Sequence, residues 1–321
     1  MAQTPATPKT RRWALSLWAR LIGPTRLVQT AHLQASEKAA LALRAQSPLT
    51  APQNPTLTFV IPLVGKHHVG DWSGVSARLA ATLTSFTRQD TANWQALICG
   101  QDEPDLPAAL ANDPRITFVP FSAPVEGNDK WAKLSALCEA LPGHVRQDGY
   151  VMPFDADDLL GPGQISAILR SKSPGGSLVS LGYVADQKND RIALAGPPTL
   201  TKPRRKPFWK LCGSCAALRY RPEDGPAFLQ ELTQHEHRMF PYLAQLSGRP
   251  LTPLQDPAAL YVLNHGDNFG ARRGRVSSKT RFVERYAIRE SDEITRIRKA
   301  FFCPIKAAVS SRAARGRTDH S

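Results

Sequence analysis

The chain has 321 residues, of which 42% are hydrophobic, enough for one large α/β domain with appendages or for two small domains. No apolar stretch approaches the ~20 residues of a membrane-spanning helix, and the short apolar segment near the start lacks a cleavage site, so we expect neither a span nor a signal peptide. The net charge of +14 divides into +6 over residues 1–50, −1 over 51–270 and +9 over 271–321, so a nucleic-acid groove in the centre is not expected.

The first 50 residues are expected to form a basic helical arm, with helix over residues 10–46. Trp13, Leu17, Trp18 and Leu21 can share one face, with Arg side chains interleaved. Trp and Leu beside Arg are typical of a helix at a membrane interface, but the same face could pack on its own domain or on a second copy of the chain. Both interpretations stay open at this point.

Residues 51–270 form the predicted central domain, in which strands and helices alternate. The predicted strands are 56–61, 94–99, 116–119 and 150–154, and the predicted helices between them are 75–88 and 130–140. This alternation predicts a mostly parallel, doubly wound sheet. The later predicted elements are helix 164–170, a β-pair of 178–184 with 192–194, strand 211–219, helix 228–246 and strand 259–263.

The remaining residues, 271–321, are expected to form a basic helical tail with one amphipathic helix. The five cysteines are scattered at positions 99, 138, 212, 215 and 303, which favours reduced thiols in a cytoplasmic setting. Cys212-Gly-Ser-Cys215 has redox or zinc spacing, but no second Cys or His pair lies near it in sequence. We therefore interpret it as part of a tight strand.

Three carboxylates, Asp155, Asp157 and Asp158, follow the apolar strand 150–154 directly. They are expected at the carboxyl end of that strand, where open α/β sheets bind their ligands. Alternation along an extended chain would point Asp155 and Asp157 the same way, and two hard oxygen donors suit Mg²⁺ or Mn²⁺. The alternative is a solvated acidic turn in which Asp caps a helix.

Five segments occur in an order that resembles a known enzyme family. They are Phe59-Val-Ile-Pro62, Leu83 to Gln89 followed by Trp94 to Ile98, the acidic motif Asp155-Ala-Asp157-Asp158, Glu236, and Tyr261 to Asn268. In this order they resemble the GT-A glycosyltransferases, and within them the large bacterial family 2 of polysaccharide and lipid-linked transferases. The resemblance covers roughly residues 56–270. It implies a GT-A (nucleotide-diphospho-sugar transferase-like) fold, a doubly wound mixed sheet with flanking N- and C-terminal helices.

The resemblance also implies roles for individual residues on the donor side. Asp155 and Asp157, with His265, would bind the metal ion, while Asp155 and Ala156 would lie at the donor diphosphate. Pro62, at the end of the opening strand, would also contact the donor. The family usually has two Asp after the second strand, but here Cys99-Gly-Gln101 stands there and Asp102 follows late, so the nucleotide is in question.

The remaining candidates come from the acceptor side and from basic residues. Glu236 matches the acidic acceptor-side residue of the family and is expected to act as general base, with His235 and His237 as rivals because imidazole titrates near neutral pH. The alternative for this Gln-His-Glu-His cluster is a solvated helix face. Lys130 and Lys133 precede the acidic strand and are expected to approach the diphosphate, or else to form a solvated helix face.

These expectations combine into a cytoplasmic, metal-dependent glycosyltransferase using Mn²⁺ or Mg²⁺. It would move a hexose, expected to be UDP-linked, to a polysaccharide, lipopolysaccharide or lipid-linked acceptor with inversion, near the inner face of an anionic membrane and without a nucleic-acid partner. A sugar nucleotidyltransferase is the alternative enzyme, with residues 63–70 as its loop after the first strand. The other alternative is a non-catalytic membrane- or polymer-binding protein.

Overall fold

The computed structural model describes residues 3–29, 32–46, 48–123, 125, 127–264 and 276–301. Two sheets form its centre. The larger sheet contains β1 (Thr56–Pro62), β2 (Trp94–Gly100), β3 (Ile116–Pro120), β4 (Gly149–Pro153), β6 (Gly176–Leu178), β9 (Ala216–Tyr220) and β10 (Thr252–Pro253). The smaller sheet contains β5 (Leu159–Leu160), β7 (Gly182–Asp186), β8 (Arg191–Ala195) and β11 (Ala259–Leu263).

The large sheet has the strand order β10-β6-β9-β4-β1-β2-β3. Strand β9 runs antiparallel to both of its neighbours, and the other pairs are parallel. The predicted fold class, a doubly wound mixed α/β sheet with flanking helices, is therefore confirmed. From β1 the chain steps outward to β2 and β3, and then returns to the opposite side of β1 for β4. The loops after β1 and β4 thus leave the sheet in opposite directions, which opens a crevice at their carboxyl ends.

The helices cover the sheets and extend them at both ends of the chain. They are α1 (Lys9–Leu21), α2 (Pro24–Leu27), α3 (Ala35–Gln46), α4 (Trp72–Thr87), α5 (Ala108–Ala111), α6 (Lys130–His144), α7 (Gln164–Ser171), α8 (Ala227–Thr233), α9 (Phe240–Leu246), α10 (Val276–Tyr286) and α11 (Ser291–Phe301). None of the described helices is both long and apolar enough to cross a membrane.

Aromatic side chains pack α4 against the large sheet. The rings of Phe59 on β1 and Phe86 on α4 are stacked, with centroids 3.9 Å apart. Phe154, the residue that follows β4, meets Phe59 edge-on at 5.6 Å. All three side chains are buried. The backbone that leads into the acidic motif therefore packs on a rigid aromatic cluster.

The two terminal segments both pack on this centre. Helix α3 lies against α8 and α9, and its Glu37 is fully buried. At the other end, α10 packs against β7 and β8, and the backbone N–H of Ile288 donates to Ile192 O at 2.8 Å. Helix α11 buries Ile297 and Phe301 against the small sheet.

Several predicted elements are wrong in detail. The helix expected over residues 10–46 is three helices, α1, α2 and α3. The strand expected over residues 178–184 is divided between β6 and β7, which lie in different sheets, and the one amphipathic helix of the tail is two helices, α10 and α11. The helix expected over residues 228–246 is broken: α8 ends at Thr233, a 3₁₀ turn spans His237–Met239, and α9 begins at Phe240. Pro241 explains the break, because proline lacks an N–H and is tolerated only in the first turn of a helix. The strand expected over residues 211–219 begins only at Ala216, so Cys212–Cys215 forms a turn and not a strand.

Candidate active site at the carboxyl edge of the central sheet

The acidic motif forms a tight turn between β4 and β5, at the crevice described above. The Asp158 N–H donates back to Asp155 O at 3.3 Å. The side chain of Asp155 is 26% exposed, whereas Asp158 is fully buried. The turn therefore presents one carboxylate to the crevice and places another beneath it.

The turn that contains Cys212 and Ser214 forms the floor under this motif. The Ser214 hydroxyl donates to Asp158 Oδ2 at 2.5 Å, and the Cys212 thiol donates to the same oxygen at 3.0 Å. Ser214 Oγ also accepts from the backbone N–H of Asp155 at 2.9 Å. Gly213 allows this close approach, because a Cβ there would lie 3.2 Å from Asp155 Oδ2.

The electrostatics of Asp158 are unusual for a buried carboxylate. Burial, followed by the neighbouring charges of Asp157 and Asp155, raises the pKa of Asp158 well above its ordinary value. Its Oδ1 atom has no hydrogen-bond partner among the described residues, although it is fully buried. Thr82 on α4 holds the backbone of the turn by donating to Asp158 O at 2.7 Å.

Lys130, the first residue of α6, brings a cation to the acidic motif. Its Nζ lies 2.5 Å from Asp155 Oδ1. Burial lowers the pKa of the ammonium, but Asp155, followed by Asp157 and Asp158, outweighs this effect, so the pKa of Lys130 is raised. Lys130 therefore pairs with a carboxylate of the acidic motif, and its approach to the donor diphosphate stays a prediction.

Lys133 is placed differently from Lys130, although it lies one turn later on α6. Its side chain is fully buried; Nζ donates to Leu63 O at 2.5 Å and pairs with Asp129 Oδ2 at 2.7 Å. Gln101, from the loop after β2, donates to the same Asp129 oxygen at 2.6 Å. Lys133 therefore links the ends of β1 and β2 to α6, and does not extend into the crevice.

The loops after β1 and β2 line the other side of the crevice. Pro62 ends β1 and lies beside Cys99 of β2 in the sheet register. Asp102 follows β2, and its Oδ2 accepts from the backbone N–H of Lys66 at 2.8 Å. This bond fixes the loop after β1 against the loop after β2. Ala156 lies inside the acidic turn, with its carbonyl oxygen 3.0 Å from Thr82 Oγ1.

The histidines on either side of Glu236 occupy separate environments. His235 is fully buried, with Nε2 2.7 Å from Ser36 Oγ on α3, so it faces the N-terminal arm. Burial, followed by the charges of Lys279 and Lys130, lowers the pKa of His237 to about 3. The buried Nε2 of His237 has no partner among the described residues. Glu236 lies between them, half-buried, at the start of the 3₁₀ turn.

A lysine from the C-terminal segment enters the same region. Lys279 on α10 donates from Nζ to the hydroxyl of Tyr261 on β11 at 2.6 Å, and this ammonium lies 4.5 Å from the centre of the Tyr261 ring. Burial lowers the pKa of Lys279, while Asp155 and Asp158 oppose that effect. Sequence reasoning missed Lys279, since nothing in a basic tail marks one lysine among many as facing an acidic turn.

The metal site stays a prediction. Among the described residues, no group of three or more His, Cys, Asp or Glu side chains is arranged to hold a metal ion. The expected ligand His265 lies outside those residues. The carboxylates of Asp155 and Asp157 nevertheless match a hard divalent cation in donor type.

No protein-family model and no curated protein matches the chain. Among solved structures, the chain is similar to a crystal structure of 4-diphosphocytidyl-2C-methyl-D-erythritol synthase. The sequence identity is 11% and the TM-score 0.34, over 70% of this chain and 99% of that chain. A similarity at this level gives no information about function.

Proposed function

We propose that the chain is a metal-dependent glycosyltransferase that moves a hexose from a nucleotide-sugar, expected to be UDP-linked, to a polysaccharide, lipopolysaccharide or lipid-linked acceptor. The observation that carries this proposal is the acidic turn of Asp155 to Asp158 at the switch point of the sheet, with Lys130 at 2.5 Å from Asp155. Open α/β sheets bind ligands at this place, and the sequence resemblance assigns such a turn to the donor diphosphate.

On the donor side, Asp155 and Asp157 would hold Mn²⁺ or Mg²⁺, with His265 as the third protein ligand expected from the resemblance. Such an ion would act as a Lewis acid that offsets charge on the leaving diphosphate. Lys130, which pairs with Asp155, and Lys279, which contacts Tyr261 in the same region, would add positive charge. Asp102 and Pro62, at the ends of β2 and β1, would border the nucleoside.

On the acceptor side, Glu236 is the residue we assign as general base. In the transfer, the bond from the anomeric carbon to the diphosphate oxygen breaks as the acceptor oxygen bonds to that carbon. The acceptor proton passes to Glu236, and the nucleoside diphosphate leaves. This single displacement inverts the anomeric configuration. The two histidines are weaker candidates: His235 is buried against Ser36, and the low pKa of His237 makes it a poor base.

The test is the melting temperature of the full chain with nucleoside diphosphates and nucleotide-sugars, with and without Mn²⁺. A ligand at ~100 times its dissociation constant adds ~2.7 kcal/mol to the free energy of unfolding, which would raise the melting temperature by several degrees. We expect this shift to need both the metal and one nucleotide. Asp157→Asn should abolish it and lower sugar transfer by on the order of 10²-fold or more.

Asp190→Asn is the matched control, because Asp190 is an exposed aspartate in the turn between β7 and β8, paired with Arg298. It should leave binding and transfer unchanged. If no nucleotide stabilises the wild-type chain with any divalent ion, the transferase proposal is wrong and a non-catalytic protein is favoured. Equal shifts of the melting temperature in wild type and Asp157→Asn would instead show that Asp157 does not take part in donor binding.

A sugar nucleotidyltransferase is the second candidate, favoured by the loop after β1. Lys66, His67 and His68 follow the first strand after three residues, and Asp102 fixes this loop through the Lys66 N–H. A nucleotidyltransferase needs a basic loop at this place for the triphosphate. The products separate the two reactions. Incubation with a nucleoside triphosphate and a sugar phosphate would release pyrophosphate in this case, whereas the glycosyltransferase releases a nucleoside diphosphate from a nucleotide-sugar.

A further inference from the structure

Apolar side chains extend around most of helix α1, and only those on one side are covered. Leu15 and Ala19 are buried on the inner side, where α1 packs against α9. The outer side carries Trp13, Leu17, Trp18, Leu21 and Ile22, which we call the outer ridge. Trp13 is 71% exposed, Trp18 is 55% exposed and Leu21 is 73% exposed. The arm is therefore docked on its own domain and still presents a second apolar surface to solvent.

The outer ridge is a local feature and not a general property of the surface. Among the described residues seven large hydrophobic side chains are exposed, and five of them belong to the outer ridge. The other two, Leu49 and Leu200, stand in separate loops. Scattered exposed apolar residues are normal in soluble proteins, but five within ten residues of the chain, two of them tryptophans, mark an interaction surface.

The charges around the outer ridge indicate what it contacts. Lys9, Arg20 and Arg26 are exposed on α1 and α2. The only acidic residue among residues 1–50 is Glu37, and it is fully buried. The surface of the arm thus combines apolar and positive groups without an exposed carboxylate. A second copy of the chain would bring two such positive surfaces together, whereas anionic lipid headgroups would complement them.

We propose that the outer ridge inserts into the interface of a bilayer that contains anionic lipids, with Trp13, Trp18 and Leu21 among the acyl chains and Arg20 and Arg26 at the headgroups. Tryptophan suits this position because its ring is apolar and its N–H is polar. Leu15 and Ala19 keep α1 attached to the domain during binding. The proposal does not depend on the proposed activity, since it concerns a different surface.

The test is sedimentation of the full chain with vesicles of phosphatidylcholine and phosphatidylglycerol, compared with vesicles of phosphatidylcholine alone. Deleting the arm would be uninformative, since Glu37 and Leu41 of α3 are part of the buried core. The double variant Trp13→Ser/Trp18→Ser changes only exposed side chains and should keep the melting temperature of the wild type. We expect it to lower the affinity for the anionic vesicles about tenfold or more.

Leu200→Ser is the matched control, because it removes a fully exposed leucine from a loop outside the ridge. It should bind vesicles like the wild type. Arg20→Gln should weaken binding to anionic vesicles about fivefold and leave any binding to neutral vesicles unchanged. Undiminished sedimentation of the double tryptophan variant would overturn the proposal. So would light scattering that gives a dimer for the wild type and a monomer for the double variant, since the ridge would then bind a second copy.

Discussion

Two fully buried carboxylates hold two different regions of this molecule, and their surroundings contrast. Glu37 joins the N-terminal arm to the central domain. Its Oε1 accepts from the Thr7 hydroxyl at 2.8 Å and from the Tyr242 hydroxyl at 3.0 Å, and its Oε2 accepts from the Gln34 N–H at 3.0 Å. The Arg11 guanidinium lies 3.5 Å from Oε2 and supplies a counter-charge.

Asp158 forms the floor of the candidate active site under opposite conditions. Both of its side-chain donors, Cys212 and Ser214, bind the same oxygen, and the other oxygen has no partner among the described residues. Its nearest charged neighbours in sequence, Asp155 and Asp157, are also negative, and they add to the effect of burial on its pKa. Glu37, which we call the joint, has hydrogen-bond partners for both of its carboxylate oxygens. Asp158, at the candidate site, has partners for only one among the described residues, and the unpaired oxygen is a cost in stability.

The largest effect is expected at the joint. Glu37→Gln removes the counter-charge to Arg11 and sets an amide N–H₂ against hydroxyl donors, so we expect a loss of about 3 kcal/mol in the free energy of unfolding. Urea unfolding of the full chain measures this change. Glu103→Gln, at an exposed glutamate in the loop after β2, is the control and should change stability by less than about 0.5 kcal/mol. A loss no larger than that of the control would mean that the arm is not held by Glu37.

The second effect concerns pH and belongs to the site. Because the pKa of His237 in the folded chain is about 3, below the ~6.5 of an unfolded histidine, the unfolded state binds the extra proton between these values. Stability is therefore expected to fall as the pH drops below about 6.5, by about 2 kcal/mol at pH 5 from this residue alone.

His237→Gln should remove that part of the pH dependence in unfolding curves measured from pH 7 to pH 5. His144→Gln, at an exposed histidine at the end of α6, should keep the wild-type slope. If both variants follow the wild type, His237 is not held neutral by its surroundings.

The smallest effect is expected at the floor of the site. Asp158→Asn keeps the shape of the side chain but cannot ionise, so we expect a change of about 1 kcal/mol or less near pH 4, where the Asp158 carboxyl of the folded chain is neutral. The sign depends on pH. A raised folded pKa stabilises the chain below the unfolded value near ~4, and this contribution is lost as the pH rises toward the folded pKa. The stability of the variant relative to the wild type should therefore increase as the pH rises above about 4.

Unfolding curves at several pH values measure this pH-dependent difference in stability between the variant and the wild type. The comparison with Glu37 makes the outcome decisive, since both variants replace a buried carboxylate with its amide. If Asp158→Asn costs as much as Glu37→Gln at every pH, the two carboxylates do the same structural work, and the contrast between joint and site fails.

Local patterns in the sequence were sufficient for the alternation of strands and helices and for the place of the acidic turn after β4. They failed where a distant partner decides the structure. The turn at Cys212 and Ser214 looked like a strand because its partner, Asp158, lies 54 and 56 residues away. Lys279 gave no signal for the same reason. Pro241 is the exception: its effect on the helix over 228–246 is local, and helix periodicity concealed it.

The joint at Glu37 also governs the order in which the chain can assemble during synthesis. The partners of Ser36 and Glu37 in the central domain, His235 and Tyr242, follow 199 and 205 residues later. At ~5–20 residues per second, a ribosome needs roughly 10–40 s to supply them. Throughout that interval the arm has no domain to dock on, and all apolar side chains of α1 are uncovered. Docking of the arm is thus among the last folding steps, and a nascent chain reaches it only after most of the domain has been made.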